Sequence, residues 1–341
     1  MITLRRIVKK PLRRIEFEVK SRIALLLRIA FLKVKPQIYV TFDTSKSVDG
    51  TGAQLQRQAT VMALAKYFDF TFINSDFKQV SVHPLDPFQS EREYAKYLER
   101  LSKFLKADGS SSSPAEIPPP VSMQVTFRSL ILECLMQALR GKRRNFLIFE
   151  PYPVTEFCPG IMDGLKLQSS ENFEQELSKE VCKLIIHYRQ GVGGFALYPG
   201  QNIPREIPLN KFVSRAQTIA RELPSHIVLQ ITVMTDAPEI ETVFTPPATQ
   251  LSLWEGTPGF SNGVMTIKPT KFDELERLSK FPLRVLRGGN PLDTILEMAS
   301  ANVLLIGKSS LSYTAGLLNR QGQIYYPKDF WHKPLMNWKE L

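Results

Sequence analysis

Two apolar periods alternate along this chain. The run IYVTF, residues 38–42, is apolar, β-branched or aromatic at every position, which predicts a buried strand. After it, Asp49, Gly50, Thr51 and Gly52 read as a flexible glycine turn, and from Ala53 onward Leu55, Ala59, Met62, Ala63 and Lys66 fall at helical spacing. Strand, glycine turn and helix open an α/β unit. TFINS near residue 72 predicts the next strand, 90–106 a charged helix, 126–139 another helix and NFLIFE at 145–150 a further strand. Between them ADGSSSSPAEIPPP, residues 107–120, lacks the composition to pack a core and reads as a mobile surface loop inside the first domain.

The second half repeats the alternation. A helix from near Glu174 feeds the apolar run that ends in His187 and Arg189, and a helix over 211–222 leads to HIVLQITVMTD, a strand ending at Asp236. MTIKP at 265–269 reads as a strand, and 271–280 and 291–300 as helices. NVLLIG, residues 302–307, is the last predicted strand, after which Lys308, Ser309, Ser310 and Ser312 open a helix through Leu318. The fold class expected is therefore α/β, with two Rossmann-like parallel-sheet domains facing one cleft, residues 36–172 and 173–341.

Composition changes this picture at one end only. With 43% hydrophobic and 23% charged residues the chain is an ordinary globular sequence, and its net charge of +11 looks at first like a nucleic-acid signal. Residues 1–35, however, hold eleven Lys and Arg against Glu16 and Glu18, a surplus of nine, which leaves the other 306 residues a surplus of two. The charge belongs to an arm. Within it Ile23, Leu26, Leu27, Ala30, Phe31 and Val34 form the stripe of an amphipathic helix bracketed by Pro11 and Pro36. Arg28, Arg22, Lys33 and Lys35 make the run too short and too charged to span a bilayer of about 30 Å, and no small-residue cleavage site of a signal peptide follows it. Two readings stay open, an interfacial helix on an anionic membrane surface or a structural helix packed on the first domain. A nucleic-acid partner is not expected, because the body has no basic stripe interleaved with aromatics. Cys134, Cys158 and Cys182 are few, odd in number and without metal spacing, which points to a reducing, cytoplasmic environment.

Candidate chemistry concentrates in KLIIHYRQGVGG, residues 183–194. The period of two puts His187 and Arg189 on one face of a strand and Tyr188 on the other, at the carboxyl end where open α/β sheets bind ligands. A guanidinium there can hold a diphosphate bidentately while Gly191, Gly193 and Gly194 let backbone N–H groups approach. The structural alternative is a buried strand with a solvated polar end and a satisfied histidine. Ser309 and Ser310, after a parallel strand, form an anion site at a helix N-terminus or else simply cap it. Asp236 either serves the site or only turns the loop after its strand.

Four segments line up with one family. HYRQG resembles the HxRxG element of the fucosyltransferase superfamily, VMTDAPE at 233–239 its strand-ending Thr/Ser-Asp-x-Pro segment, and residues 288–319 its carboxyl-terminal donor-binding region. DGTGAQLQRQA resembles the Gly-x-Gly-x-Gln opening of bacterial and protein-directed fucosyltransferases. The resemblance implies a GT-B architecture and a GDP-sugar donor, GDP-fucose foremost, with Gly50 and Gly52 in the donor-binding set. By motif position Arg189 grips the β-phosphate as the catalytic residue, His187 lines the guanine or ribose pocket, Gly191 follows in the loop, Asp293 accepts from the guanine edge, and Ser309 and Ser310 contact the diphosphate. Val192 stands where the family element often carries a carboxylate, and Tyr313 and Thr314 replace aromatic residues of many relatives.

The expected reaction is an inverting transfer onto a glycan or lipid-linked glycan hydroxyl, in bacterial surface polysaccharide synthesis at the inner face of the cell membrane. No DxD pair occurs, so neither metal nor other cofactor is expected, and Arg189 with backbone dipoles takes up the leaving group's charge. Asp43 and Asp49 are the candidate bases. The rivals are a transferase using another nucleotide sugar and a non-catalytic membrane or polyanion adaptor on the same fold.

Overall fold

The computed structural model describes residues 2–34, 38–45, 49–81, 88, 90–107, 120–123, 126–140, 144–151, 158, 160–169, 171, 180–190, 207–245 and 260–341. They divide into two units, Met1–Ser81 with Arg92–Ser170, and Val82–Glu91 with Glu171–Leu341.

The first unit opens with α1 (Ile2–Val34), a single 33-residue helix that runs through Pro11 instead of starting after it. Leu, Lys and Arg on both sides are good helix formers, which offset the lost hydrogen bond and the carbonyl clash that an interior proline brings, about 3 kcal/mol. The predicted stripe is split. Ala24 and Phe31 are buried, the Phe31 ring meeting Phe68 and Phe70 at 5.9 and 5.7 Å, and Arg28 lies 4.8 Å over the Tyr67 ring, whereas Ile23 and Leu26 are exposed. The arm is thus docked on its own unit by one face.

β1 (Ile38–Phe42) is buried at all five positions, which is why its sequence does not alternate. α2 (Thr51–Phe68) starts before the predicted Ala53. Gly50 is its N-cap, in extended backbone at φ −69°, and Gly52 is a buried residue of the first turn, neither at a positive φ. β2 (Thr71–Ile73), α3 (Glu91–Phe104), β3 (Leu105–Ala107), β4 (Pro120–Met123), α4 (Phe127–Arg140), β5 (Arg144–Ile148) and β6 (Leu167–Ser169) follow. The sheet runs β2-β1-β5-β4, all parallel, and β3 and β6 form a separate antiparallel ribbon. β4 was not anticipated, since its proline is tolerated only at the sheet edge it occupies. Of the predicted surface loop 107–120, Ala107 ends β3 and Pro120 opens β4, and 108–119 lie outside the described residues.

In the second unit β7 (Val181–Tyr188), α5 (Leu209–Glu222), β8 (Val228–Thr235), β9 (Thr242–Phe244), β10 (Phe260–Ser261), β11 (Val264–Ile267), α6 (Asp273–Leu278), β12 (Arg284–Arg287), α7 (Pro291–Ala299), β13 (Val303–Leu305), α8 (Ser310–Leu318), β14 (Gln323–Tyr326) and β15 (Lys339–Glu340) follow in order. The helix expected near Glu174 lies outside the described residues. Six strands form a parallel sheet in the order β12-β8-β7-β13-β14-β15, and β9, β10 and β11 form an antiparallel one. Both units are therefore parallel-sheet α/β.

Strand order decides where the second unit can bind something. From β7 the chain moves to β8 and then β12 on one side, and it returns through α7 to β13 on the other. Right-handed crossovers then place α5 and α6 on one face and α7 and α8 on the opposite face. The reversal makes the carboxyl ends of β7 and β13 a topological switch point, where the first turns of two oppositely directed connections part. Tyr188 at the end of β7 faces the α5 side, its ring edge-on to Phe212 and Phe272 at 6.0 and 5.7 Å.

Candidate functional site

His187, one residue earlier, projects to the other face and into the switch point. Its carbonyl and ring lie against Gly307, at the end of β13. A Cβ on residue 307 would come within 2.6 Å of the His187 carbonyl oxygen and 3.4 Å of its Nδ1. His187 is 5% exposed, and its Nδ1 is buried without a hydrogen-bond partner among the described residues. Burial pushes the His187 pKa down to about 4, the Arg189 charge adding to the effect and Asp236 opposing it, so the imidazole is neutral at physiological pH. A neutral imidazole has one nitrogen that donates and one that accepts, and a buried ring nitrogen left unpaired is costly enough to need an explanation.

Directly after Gly307 the chain turns through Lys308 and Ser309 into α8. Ser309 is the N-cap, accepting from Leu311 N at 3.3 Å. Lys308, 8% exposed, stands just before this N-terminus, the end of a helix that repels cations. Burial lowers its pKa, with Asp329 pulling it up and Lys211 pushing it down. The Lys308 ammonium, with Asp329 near it, and the positive end of α8 bring two anion-attracting groups together. That is the electrostatic preparation of an anion site.

Ser310, in the first turn of α8, is hydrogen-bonded to His332 Nε2 at 3.0 Å, and the Trp331 indole N–H donates to the same nitrogen at 3.0 Å. Opposite an indole donor Nε2 accepts, so the Ser310 hydroxyl shares that nitrogen's one lone pair with the indole. The donor that Ser310 keeps for an anion is its backbone N–H in the first turn of α8. The Tyr313 ring lies tilted against His332 at 4.8 Å and edge-on to Trp338 at 5.2 Å, and its hydroxyl donates to Lys333 O at 2.8 Å, which fixes the outer wall of the turn.

On the other side of His187 the strand ends one residue before Arg189. Arg189 Nε lies 3.8 Å from Asp236 Oδ2, and Asp236 Oδ1 accepts from Gln190 N at 2.7 Å. Gln190 also reaches Thr270 and, at 3.4 Å, Lys268 O. Asp236 thus shapes the turn after β7 and faces the guanidinium at once, combining the two roles the sequence left open. Gly191 lies outside the described residues.

Asp293 is exposed in the first turn of α7, whose N-cap Asn290 accepts from Leu292 N at 3.0 Å. Since α7 follows β12, Asp293 belongs to the same carboxyl edge of the sheet as His187, Arg189, Ser309 and Ser310. Gly50 and Gly52 belong to the first unit. There Asp43 is buried at the end of β1 and accepts from Ser45 N at 3.1 Å and Ser45 Oγ at 2.6 Å, while Asp49 is half solvent-exposed and paired with Arg57.

The sequence reading did not single out Gly307, Lys308 or His332 as site residues. For the first two a signal was available, a Gly-Lys-Ser triplet closing an apolar strand. His332 carries none, because only the tail after β14 brings it back to α8.

Fold and site together define a two-unit parallel α/β protein with a buried histidine and a buried lysine at the switch point of its second sheet. No family model matches the chain, and no curated protein matches it. Among solved structures it is similar to the ADP-heptose LPS heptosyltransferase II of E. coli, at 12% identity over 86% of this chain and 87% of that one, with a TM-score of 0.34. It is also similar to E. coli heptosyltransferase WaaC with ADP-2-deoxy-2-fluoro heptose, at 10% identity over 89% and 92%, with a TM-score of 0.34.

Proposed function

We infer that the protein is a glycosyltransferase whose second unit binds a nucleoside-diphosphate sugar at the β7/β13 switch point. The observation that carries this reading is the buried, unpartnered Nδ1 of His187 beside the Gly307 turn into α8. A neutral imidazole nitrogen there suits a ribose hydroxyl or a base edge, while Lys308, Arg189 and the N-terminal amides of α8 suit the diphosphate. The four motif resemblances make GDP the nucleotide and fucose the sugar of this proposal.

In the transfer, an acceptor glycan or lipid-linked glycan hydroxyl attacks the anomeric carbon. The new C–O bond forms as the bond from that carbon to the β-phosphate oxygen breaks, inverting the centre. The hydroxyl proton passes to a general base. Nucleoside diphosphate leaves with its growing negative charge held by Arg189 and Lys308. The reaction is taken to need no metal, with the two cations in its place.

Thermal stabilisation of the full chain by GDP, GDP-fucose, UDP, UDP-sugars and ADP, with and without EDTA, tests this. ADP joins the series as a further nucleoside diphosphate. A GDP-selective, EDTA-insensitive shift that Arg189→Ala abolishes, together with loss of turnover in that variant, supports the reading. A UDP- or ADP-selective shift keeps the transferase and replaces the donor. No shift with any nucleotide overturns the transferase in favour of the adaptor.

A further inference from the structure

Half of the exposed large hydrophobic side chains among the described residues lie between Ile15 and Ile29 of α1. Ile15, Val19, Leu26 and Ile29 are 58, 50, 65 and 46% exposed. Their spacing, with Arg22 and Lys33 interposed, is that of a single stripe along one side of a helix, and both cations are exposed, with Glu18 at the margin. The other side is occupied by Ala24, Phe31 and the Arg28–Tyr67 contact, which hold the helix on its unit. The outward face is therefore left uncovered by the fold and cannot rotate inward without losing the Phe31 contacts.

We propose that this face of α1 seats on an anionic phospholipid bilayer, with Ile15, Val19, Leu26 and Ile29 at the acyl boundary and Arg22 and Lys33 extended to the headgroup phosphates. Charge selects the occupant. A second copy of the chain would bring one surplus of nine positive charges against another, whereas an anionic bilayer offers apolar depth and negative headgroups in the same plane. The helix lies on the surface, because among the described residues no helix is long and apolar enough to cross a membrane. The proposal does not depend on the nucleotide site.

Flotation of the full chain with phosphatidylcholine vesicles, with and without phosphatidylglycerol, tests it. The expected result is flotation with the anionic vesicles, weakened by salt, and little with phosphatidylcholine alone. Leu26→Asp combined with Ile29→Asp is expected to lower partitioning by about tenfold or more, and Arg22→Gln by about fivefold. Circular dichroism of the same variants shows whether α1 remains folded, and light scattering reports oligomeric state. Flotation that survives the double substitution, equal flotation on both vesicle types, or a wild-type oligomer that the double substitution dissociates while flotation is unchanged would each overturn the proposal. The nucleotide-induced thermal shift is expected to be the same in wild type and variants, so failure here is distinct from failure of the donor site.

Discussion

The His187 carbonyl oxygen sits 2.6 Å from where a side chain on residue 307 would begin, so the close approach of the two backbones just beyond the β7–β13 ladder requires glycine at 307. The contact joins residues that are 120 positions apart and forms the floor of the candidate donor site. Gly307→Ala is expected to destabilise the protein by about 1–3 kcal/mol, since the obstructing atom is backbone and cannot swing aside. It should also weaken nucleotide binding. Gly316→Ala is the control. Its Cβ would meet the Trp338 ring at 2.8 Å, so it should lower the melting temperature and leave nucleotide affinity unchanged. Calorimetric melting with and without GDP separates the two.

Stability should depend on His187 in a defined pH window. Burial, then Arg189, lower its pKa from 6.5 to about 4 in the fold. Between those values the unfolded chain binds the proton and the folded chain does not. Stability is complete above about 6.5 and falls as pH drops towards about 4, by at most ~1.4 kcal/mol per pH unit from this group. His187→Gln should flatten that slope in urea unfolding midpoints measured across the window. An unchanged slope would assign the dependence elsewhere.

Burial lowers the Lys308 pKa, Asp329 raises it and Lys211 lowers it further. Lys308→Met is expected to weaken GDP binding by about tenfold to a hundredfold, the worth of a charge-assisted phosphate contact. Titration calorimetry reads the affinity. A variant that binds GDP normally would remove Lys308 from the site.

Asp236 performs two jobs that substitution can separate. Asp236→Asn keeps an oxygen to accept from Gln190 N, now 2.7 Å away, and removes the charge facing Arg189. It should preserve stability and alter turnover. Asp236→Ala loses the part-buried hydrogen bond as well and should cost about 1–3 kcal/mol. Thermal melts beside initial rates for both variants show whether turn and guanidinium respond independently.

Several elements could be read from the chain because their cause is local. IYVTF is a strand because all five of its side chains are buried, and residues 291–299 are a helix because Asn290 caps them and Leu292, Ile295 and Met298 repeat at its period. His187 and Tyr188 were assigned opposite faces by the strand period alone, and the Tyr188–Phe212 contact agrees. The strands that escaped notice are the ones whose cause is not local. RVLR at 284–287 places charges at an edge beside β8, QIYY at 323–326 is partly polar, and PVSM at 120–123 begins with proline. Each is a strand because a neighbour supplies hydrogen bonds, and a neighbour is not visible in a five-residue pattern.

The same division holds for the site. The sequence by itself determined which side chains stand at strand and helix ends, His187, Arg189, Asp236, Ser309 and Ser310 among them, since side-chain period and capping act within a few residues. It also located nearly all the net charge in residues 1–35. Only the tertiary structure decided that β13 lies beside β7, that Gly307 admits the histidine, that Lys308 is buried rather than solvated, that Arg189 faces Asp236, and that one side of α1 is covered while the other is not. Those outcomes follow from strand order and from packing between residues scores of positions apart. Burial and its electrostatic consequences come into being only when the distant surfaces meet.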